Sequence, residues 1–331
     1  MAADQLSAAD VEARLSRDGQ DVEALVAKGA LMLAAGDQRG AAAYFKSALK
    51  AAAAAQPLPA SLRPAIERAQ AELALANDLF RQHQEEALAR AGFPEGSRPH
   101  RFQQALDILN GRVAVDLDLQ RPTSFYYPGL LEKRYYDPSD FAWAAAIEAA
   151  TPAISAEIQR EMSLGAEFSP YLVSEKNRPR TEFHGLHDNP RWSVLQLFEK
   201  GQPTAAASRF PATMNAMQDA DLCRIGTRSP NILFSRLAAG AHIPPHHGMM
   251  NARLICHLPL IVPDNCRFTV GGESRPWTVG KLTIFDDSVL HEARNDSHHD
   301  RIVLIFDVWK PELSGEERAA ITAMFEAIDD Y

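Results

Sequence analysis

Cysteine is scarce in this chain. There are three in 331 residues, Cys223, Cys256 and Cys266. An odd, sparse set without paired spacing excludes a disulfide framework and a cysteine-built zinc site. Cys256 lies in an apolar run and reads as a small core residue. Long hydrophobic runs are also missing. No stretch approaches the ~18 apolar residues of a membrane span. Residues 1–19 are polar and charged without an apolar centre, so no secretory signal is predicted and the chain reads as cytoplasmic. Nor is there a basic surplus. Lys and Arg number 34 against 43 Asp and Glu, a net charge of −9. That balance excludes nucleic acid as the main partner, because phosphate binding needs clustered cations.

What is present is enough for two domains. The length suits two better than one. Hydrophobic residues make up 46%, so a core can form without a disulfide or a structural metal. Residues 1 to about 95 are rich in Ala, Leu, Glu, Gln and Arg, all strong helix formers. Leu25, Gly29, Met32, Gly36, Ala41, Phe45 and Ala48 fall at the spacings of a tetratricopeptide repeat. Gly29 and Ala41 would let two helices approach, Gly36 would sit near the turn, and Phe45 would fill the groove. Residues 60–91 suit another helical pair, with Pro57 and Pro59 marking the break.

Residues 92–124 read as a linker around a short helical piece, Phe102 to Leu109. A helix is predicted from about Ser139 to Met162, opened by Asp137-Pro138-Ser139. From Trp192 onward, short β-type runs alternate with turns: 231–237, 253–262, 267–270, 282–285, 290–293 and 301–309. Such spacing means a sandwich or barrel. Pro259 suggests an edge or a bulge. The run 302–306 is continuously apolar and must be buried on both faces. A closing helix should start at Ser314, with Glu317 completing a capping box.

Histidine is concentrated in the β region. His242, His246, His247 and His257 fall close together, and His291 follows on a later strand. His246 and His247 follow Pro244-Pro245 in what reads as a Gly-flanked loop. His298 and His299 lie in a polar loop and read as exposed. The pair Asp286-Asp287 reads as a turn. Two histidines with open coordination positions suit iron(II), usually beside a carboxylate. Arg301 opens the apolar strand, where a cation is costly without an anion to pair with. Its other reading is a rim salt bridge with Asp300 or Asp307.

Several runs together resemble the aspartyl/asparaginyl β-hydroxylases. His246 to Leu260 is similar to that family's first iron-histidine motif, and Phe285 to Ala293 to its second. Arg301 through Asp307-Val308-Trp309-Lys310-Pro311 resembles the closing strand, and Phe125 to Gly129 the start of the catalytic domain. The resemblance covers roughly residues 120 to 315. It implies iron(II) held by His246 and His291, with 2-oxoglutarate as cosubstrate and O2 as oxidant. It implies further that Ser235 and Arg301 hold the far carboxylate of 2-oxoglutarate. His257 would contact the metal-side carboxylate, Trp192 would line the pocket, and Arg253 would face the substrate. Gly248 stands where most related oxygenases have an acidic ligand, an absence the family shares. Ile255 departs from the family's peptide hydroxylases, which carry a second arginine there, so substrate recognition can differ.

The expected fold is α+β: a tetratricopeptide-like helical domain over residues 1–110, then a double-stranded β-helix (jelly-roll) domain over 120–331. The expected function is a dioxygenase that hydroxylates the β-carbon of an Asp- or Asn-type residue in a peptide or protein, with the helical domain as a candidate docking site. The alternatives are hydroxylation of a lipid acyl chain or small molecule, a cupin-like metal enzyme, and a non-catalytic interaction protein.

Overall fold

The computed structural model of the protein describes residues 6–54, 59–173, 178–179 and 185–331. By its internal contacts the chain divides into two compact units: among the described residues, 6–86 with 178–179 and Tyr331 form one, and 87–173 with 185–330 the other.

The first unit is helical. Helix α1 (Ala8–Arg17) opens on a Ser7 capping box closed by Asp10, and α2 (Val22–Ala34) on Asp21, whose side chain accepts from Ala24 N. Helix α3 (Gln38–Ala54) lies against α2. A Cβ at Gly29 would stand 2.5 Å from the Phe45 ring, so the bare glycine lets that ring seat between the helices. Gly36 turns the chain with φ +81°, a conformation open to glycine at little cost. Phe45, Ala41 and Ala48 are buried in the resulting core. Helix α4 (Arg63–Arg90) is one continuous rod of 28 residues rather than a helical pair. Past Pro64 it contains neither Gly nor Pro, so nothing interrupts it. Of the two prolines expected to mark the break, Pro57 lies outside the described residues, and Pro59 precedes a 3-10 turn at Ala60–Leu62.

The second unit begins with α5 (His100–Leu109), whose Phe102, Ala105 and Leu106 pack in a core with Phe125, Tyr127 and the closing helix. Within the expected helical span 1–110, α5 shares its core with residues of the following region. The helix expected over 139–162 is broken. A 3-10 turn at Pro138–Asp140 precedes α6 (Ala144–Ala149) and α7 (Thr151–Ser163). Pro152 sits in the first turn of α7, where its missing N–H costs least.

Among the described residues there are twelve strands, of which the last eight follow the topology of a jelly roll. They are β1 (Tyr135–Tyr136), β2 (Ser169–Pro170), β3 (Trp192–Glu199), β4 (Gln202–Pro203), β5 (Ile232–Leu237), β6 (His242–His246), β7 (Arg253–Ile261), β8 (Cys266–Val270), β9 (Glu273–Arg275), β10 (Thr283–Phe285), β11 (His291–Asn295) and β12 (Arg301–Trp309). The large sheet runs β1-β10-β7-β12-β5-β3-β2, and the small one β6-β11-β8-β9. The last eight strands pair antiparallel as β5 with β12, β6 with β11, β7 with β10 and β8 with β9. That is a double strand wound into two facing sheets, the jelly roll the sequence implies.

The large sheet is buried on both sides. Its outer face (Leu254, Cys256, Leu258, Leu304, Phe306) packs under α6, α7 and α8 (Pro211–Ala216). Its inner face looks toward the small sheet. Strand alternation brings Trp192, Ser235, Arg253, Ile255, His257, Arg301 and Asp307 onto that inner side. Pro259 lies on a central strand, and the register slips beside it, between Ile302 and Val303, so it marks a bulge and not an edge. Strand β6 contradicts the loop expected at Pro244-Pro245-His246. It is the edge of the small sheet, the one place where a strand tolerates missing N–H donors. Helix α9 (Gly315–Asp329) begins with the expected Ser314–Glu317 capping box.

Among the described residues no helix is long and apolar enough to cross a membrane.

Candidate active site

His246 ends β6 and His291 opens β11, and the two residues are register partners. Their rings stand 4.1 Å apart between centroids. Each Nδ1 lies within hydrogen-bond range of a backbone carbonyl: His246 to Pro244 O at 2.8 Å, His291 to Val289 O at 2.9 Å. A carbonyl only accepts, so each Nδ1 carries the proton and each Nε2 keeps its lone pair. Burial lowers the pKa of both rings, that of His291 to about 3, with the His246 charge as the second cause. Two neutral imidazoles presenting Nε2 at this spacing are suited to one metal ion. His247, the sequence's other candidate in this turn, lies against Ser288 O through its Nδ1 at 2.9 Å. Among the described residues no cluster of three or more His, Cys, Asp or Glu side chains forms a metal site, so the pair stands without a carboxylate third.

Gly248 shows why. A Cβ there would overlap the carboxylate of Asp287, and Gly248 N donates to Asp287 O at 2.6 Å. Asp287 therefore fills the volume that a side chain at 248 would need. Burial raises its pKa to about 6, against the opposing pull of Arg253. Asp286 faces elsewhere. Lys310 Nζ at 2.7 Å, Gln120 Nε2 at 2.6 Å and Ser288 Oγ at 2.6 Å all donate to it. The acidic pair is thus one structural turn residue and one residue of the site.

Arg301 is 1% exposed, and its Nε and Nη1 have no hydrogen-bond partner. The rim salt bridge is absent: Asp300 is taken by Arg236 at 2.6 Å and Asp307 by Arg253 at 2.8 Å. Burial pulls the pKa of Arg301 down to about 10. Around it lie more unsatisfied polar atoms, Ser235 Oγ and His257 Nδ1. His257 has a pKa well below its ordinary value, first through burial, then through the charges of Arg301 and His291. Native interiors rarely leave such atoms orphaned, and a cluster of them marks the place of a ligand.

The other end of the inner face is different. Arg253 Nη1 donates to Asp307 at 2.8 Å, and Nη2 lies 3.4 Å from Asp287. Ile255, two residues on, separates this pair from His257 along β7. Trp192 lies against Tyr171, centroids 4.4 Å apart, and its ring is 6.2 Å from that of His246.

The structure thus places Trp192, Ser235, Arg253, His257 and Arg301 on the inner face of the large sheet, and His246 and His291 as register partners on the small sheet that it faces. Three neighbours escape a reading of the sequence: Asp287, Tyr171 and Trp277. Asp287 adjoins Gly248 only through the fold, 39 residues away. Tyr171 lies outside every motif. Trp277 follows a proline in a turn and reads as ordinary core.

Comparison with known proteins converges on the same stretch. Residues 148–311 match the family model described as Aspartyl/Asparaginyl beta-hydroxylase. Aspartate beta-hydroxylase domain-containing protein 2 of Homo sapiens is 38% identical over 223 residues, covering 66% of this chain and 57% of the relative. Aspartate beta-hydroxylase domain-containing protein 1 of Mus musculus is 30% identical over 243 residues, 69% of this chain and 62% of the relative. Aspartyl/asparaginyl beta-hydroxylase of Mus musculus is 33% identical over 144 residues, 43% of this chain but 19% of the relative. The chain therefore spans a fifth of one relative and less than two thirds of the others.

Proposed function

From the membership of residues 148–311 in the aspartyl/asparaginyl β-hydroxylase family, we propose that the protein is an iron(II)- and 2-oxoglutarate-dependent dioxygenase. Its substrate on this reading is the β-carbon of an Asp- or Asn-type residue in a peptide or protein. One observation carries the reading: two neutral imidazoles stand 4.1 Å apart on the sheet that faces Arg301, a buried guanidinium with no carboxylate among the described residues. A metal and a dicarboxylate together would satisfy both.

The residues fit both groups. His246 and His291 would hold iron(II) through Nε2, leaving its other positions for the cosubstrate, O2 and water. The fork of Arg301 and the hydroxyl of Ser235 would take the far carboxylate of 2-oxoglutarate. His257, nearer the metal on β7, would meet the carboxylate at the other end. Trp192 would wall the cavity against water. Arg253, at the opposite end of the inner face, would orient the substrate side chain. Bound iron(II), with 2-oxoglutarate and O2, supplies the oxidising power that replaces C–H by C–OH. The chain's contribution is to bind, to orient and to exclude water.

The helical unit, with its tetratricopeptide-like α2–α3 pair, is the candidate dock for a peptide. The three cysteines are free, as a reducing compartment would leave them, which supports a cytoplasmic reading. Ile255 supports a second substrate class. An apolar residue between Arg253 and His257 offers nothing to an acid and would tolerate an acyl chain or small molecule.

Peptide libraries with a fixed central Asp or Asn test the first reading, scored by a gain of one oxygen and by succinate formed. Hydroxylated peptide that requires both iron(II) and 2-oxoglutarate supports it. Succinate formed with acyl or small-molecule candidates but with no peptide moves the substrate to the second class.

A further inference from the structure

Trp277 is a buried group to which the proposed function gives no part. It lies in the turn between β9 and β10, 6% exposed, and its Nε1–H has no acceptor. Its ring is stacked on Phe268, centroids 5.2 Å apart and planes 16° apart. Phe268 is itself held edge-on by Phe285 at 4.7 Å. The indole is therefore fixed, and a swing that would bring its N–H to a protein acceptor would undo this packing. Buried indoles ordinarily find a partner for that N–H.

The neighbours of Trp277 are in the same state. The Arg301 guanidinium carbon lies over the indole, 4.7 Å from the centroid, and the His257 ring is 5.9 Å away. Arg301 Nε and Nη1, Ser235 Oγ and His257 Nδ1 all lack partners too. The π face of the indole supports the guanidinium in the absence of an anion. Its N–H has the same need as the guanidinium: an acceptor that none of the described residues supplies. A carboxylate offers about four acceptor positions. Two suit the Arg301 fork and one the Ser235 hydroxyl, which leaves one.

Resting on the function proposed above, we propose that the Trp277 Nε1–H is a further donor to the far carboxylate of the bound 2-oxo dicarboxylate. Trp277 is then part of the grip on the cosubstrate as well as part of the wall.

The test is a calorimetric titration of 2-oxoglutarate into protein loaded with manganese(II), which reports binding without turnover. Trp277→Phe keeps a ring on Phe268 and beside Arg301 but removes the donor. Its affinity for 2-oxoglutarate should fall about tenfold. Affinity for 2-oxopentanoate, which has the same chain length and no far carboxylate, should be unchanged. Where that compound binds too weakly to titrate, the 2-oxoglutarate ratio decides. Equal 2-oxoglutarate affinities overturn the proposal. So does an equal loss for both compounds, which would mean that Trp277 only shapes the pocket. If Trp277→Phe does not fold, 3-benzothienylalanine at position 277 exchanges the N–H for sulfur in the same outline, with the same two outcomes. A wild-type protein that does not bind 2-oxoglutarate at all sinks the function proposed above, and this inference with it; a wild type that binds while the variant matches it sinks the inference alone.

Discussion

Arg253 and Arg301 stand on the same inner face of one sheet in opposite surroundings. Arg253 has two buried carboxylates, Asp307 at 2.8 Å and Asp287 at 3.4 Å. Arg301 has none, and two of its nitrogens are orphaned. A protein that leaves a buried guanidinium unpaired sacrifices stability at that point. Arg253 Nε and Asp287 Oδ1 are orphaned too, so the contrast lies in charge: Arg253 has carboxylate partners and Arg301 has none among the described residues. Arg253 belongs to the architecture whatever its proposed part in binding substrate. Arg301 has the Trp277 ring against it but no carboxylate among the described residues, and the proposed ligand would supply one.

Substitution of the two arginines sharpens this difference most. Arg253→Met strands two buried carboxylates and should destabilise the protein by about 3–5 kcal/mol, read as a lowered denaturant midpoint. Arg301→Met removes an unpaired buried charge and should leave the ligand-free protein as stable as before, or more so. Equal destabilisation by the two would break the comparison. Next in size is the effect on ligand. Arg301→Gln should weaken 2-oxoglutarate binding about a hundredfold, through loss of a bidentate charged contact. Arg253→Lys, which keeps a cation between the aspartates, should change it little. Both are read by calorimetry on the manganese(II) form.

Gly248→Ala comes third. Its methyl would meet the Asp287 carboxylate, so Asp287 must move or strain must be stored, and a loss of about 1–3 kcal/mol should appear in chemical unfolding. Wild-type stability there would mean that Asp287 does not fill this volume.

The smallest effect is in acid. Burial holds His291 at about 3, below the 6.5 of an unfolded chain. The unfolded state therefore takes up the proton first. The stability due to the neutral ring is whole above pH 6.5 and lost progressively toward pH 3. Through His291 alone the chelator-treated protein should lose about 1 kcal/mol between pH 6.5 and pH 5.5. Burial raises Asp287 to about 6, which works the other way: its contribution is whole below the unfolded value of 3.8 and lost as pH rises through 6. His291→Ala should flatten the acid limb of the unfolding curve, and an unchanged limb would contradict the burial of that ring as a neutral group.

The sequence makes the frame of this site legible because apolar strands and histidine motifs are local signals. The run 301–309 is a strand as bounded, and Ser314 with Glu317 caps α9 as expected. The prolines of β6 conceal a strand, since their cost disappears only at a sheet edge, and edges belong to topology. The cleft of α2 and α3 is visible in Gly29 and Phe45, but the unbroken run of α4 depends on what is absent from it. Least legible is the state of the polar atoms. Arg301 without an anion, Arg253 with two, and Trp277 without an acceptor follow from which strands pair, and no single motif contains that.

The most direct test is anaerobic addition of iron(II) and then 2-oxoglutarate to the metal-free protein, watched for the visible charge-transfer band of the chelated complex. The site described here predicts a band in the wild type, its loss or marked weakening in His291→Ala, and a shift to far higher 2-oxoglutarate concentration in Arg301→Gln. No band in the wild type, or an identical titration in all three proteins, would contradict it.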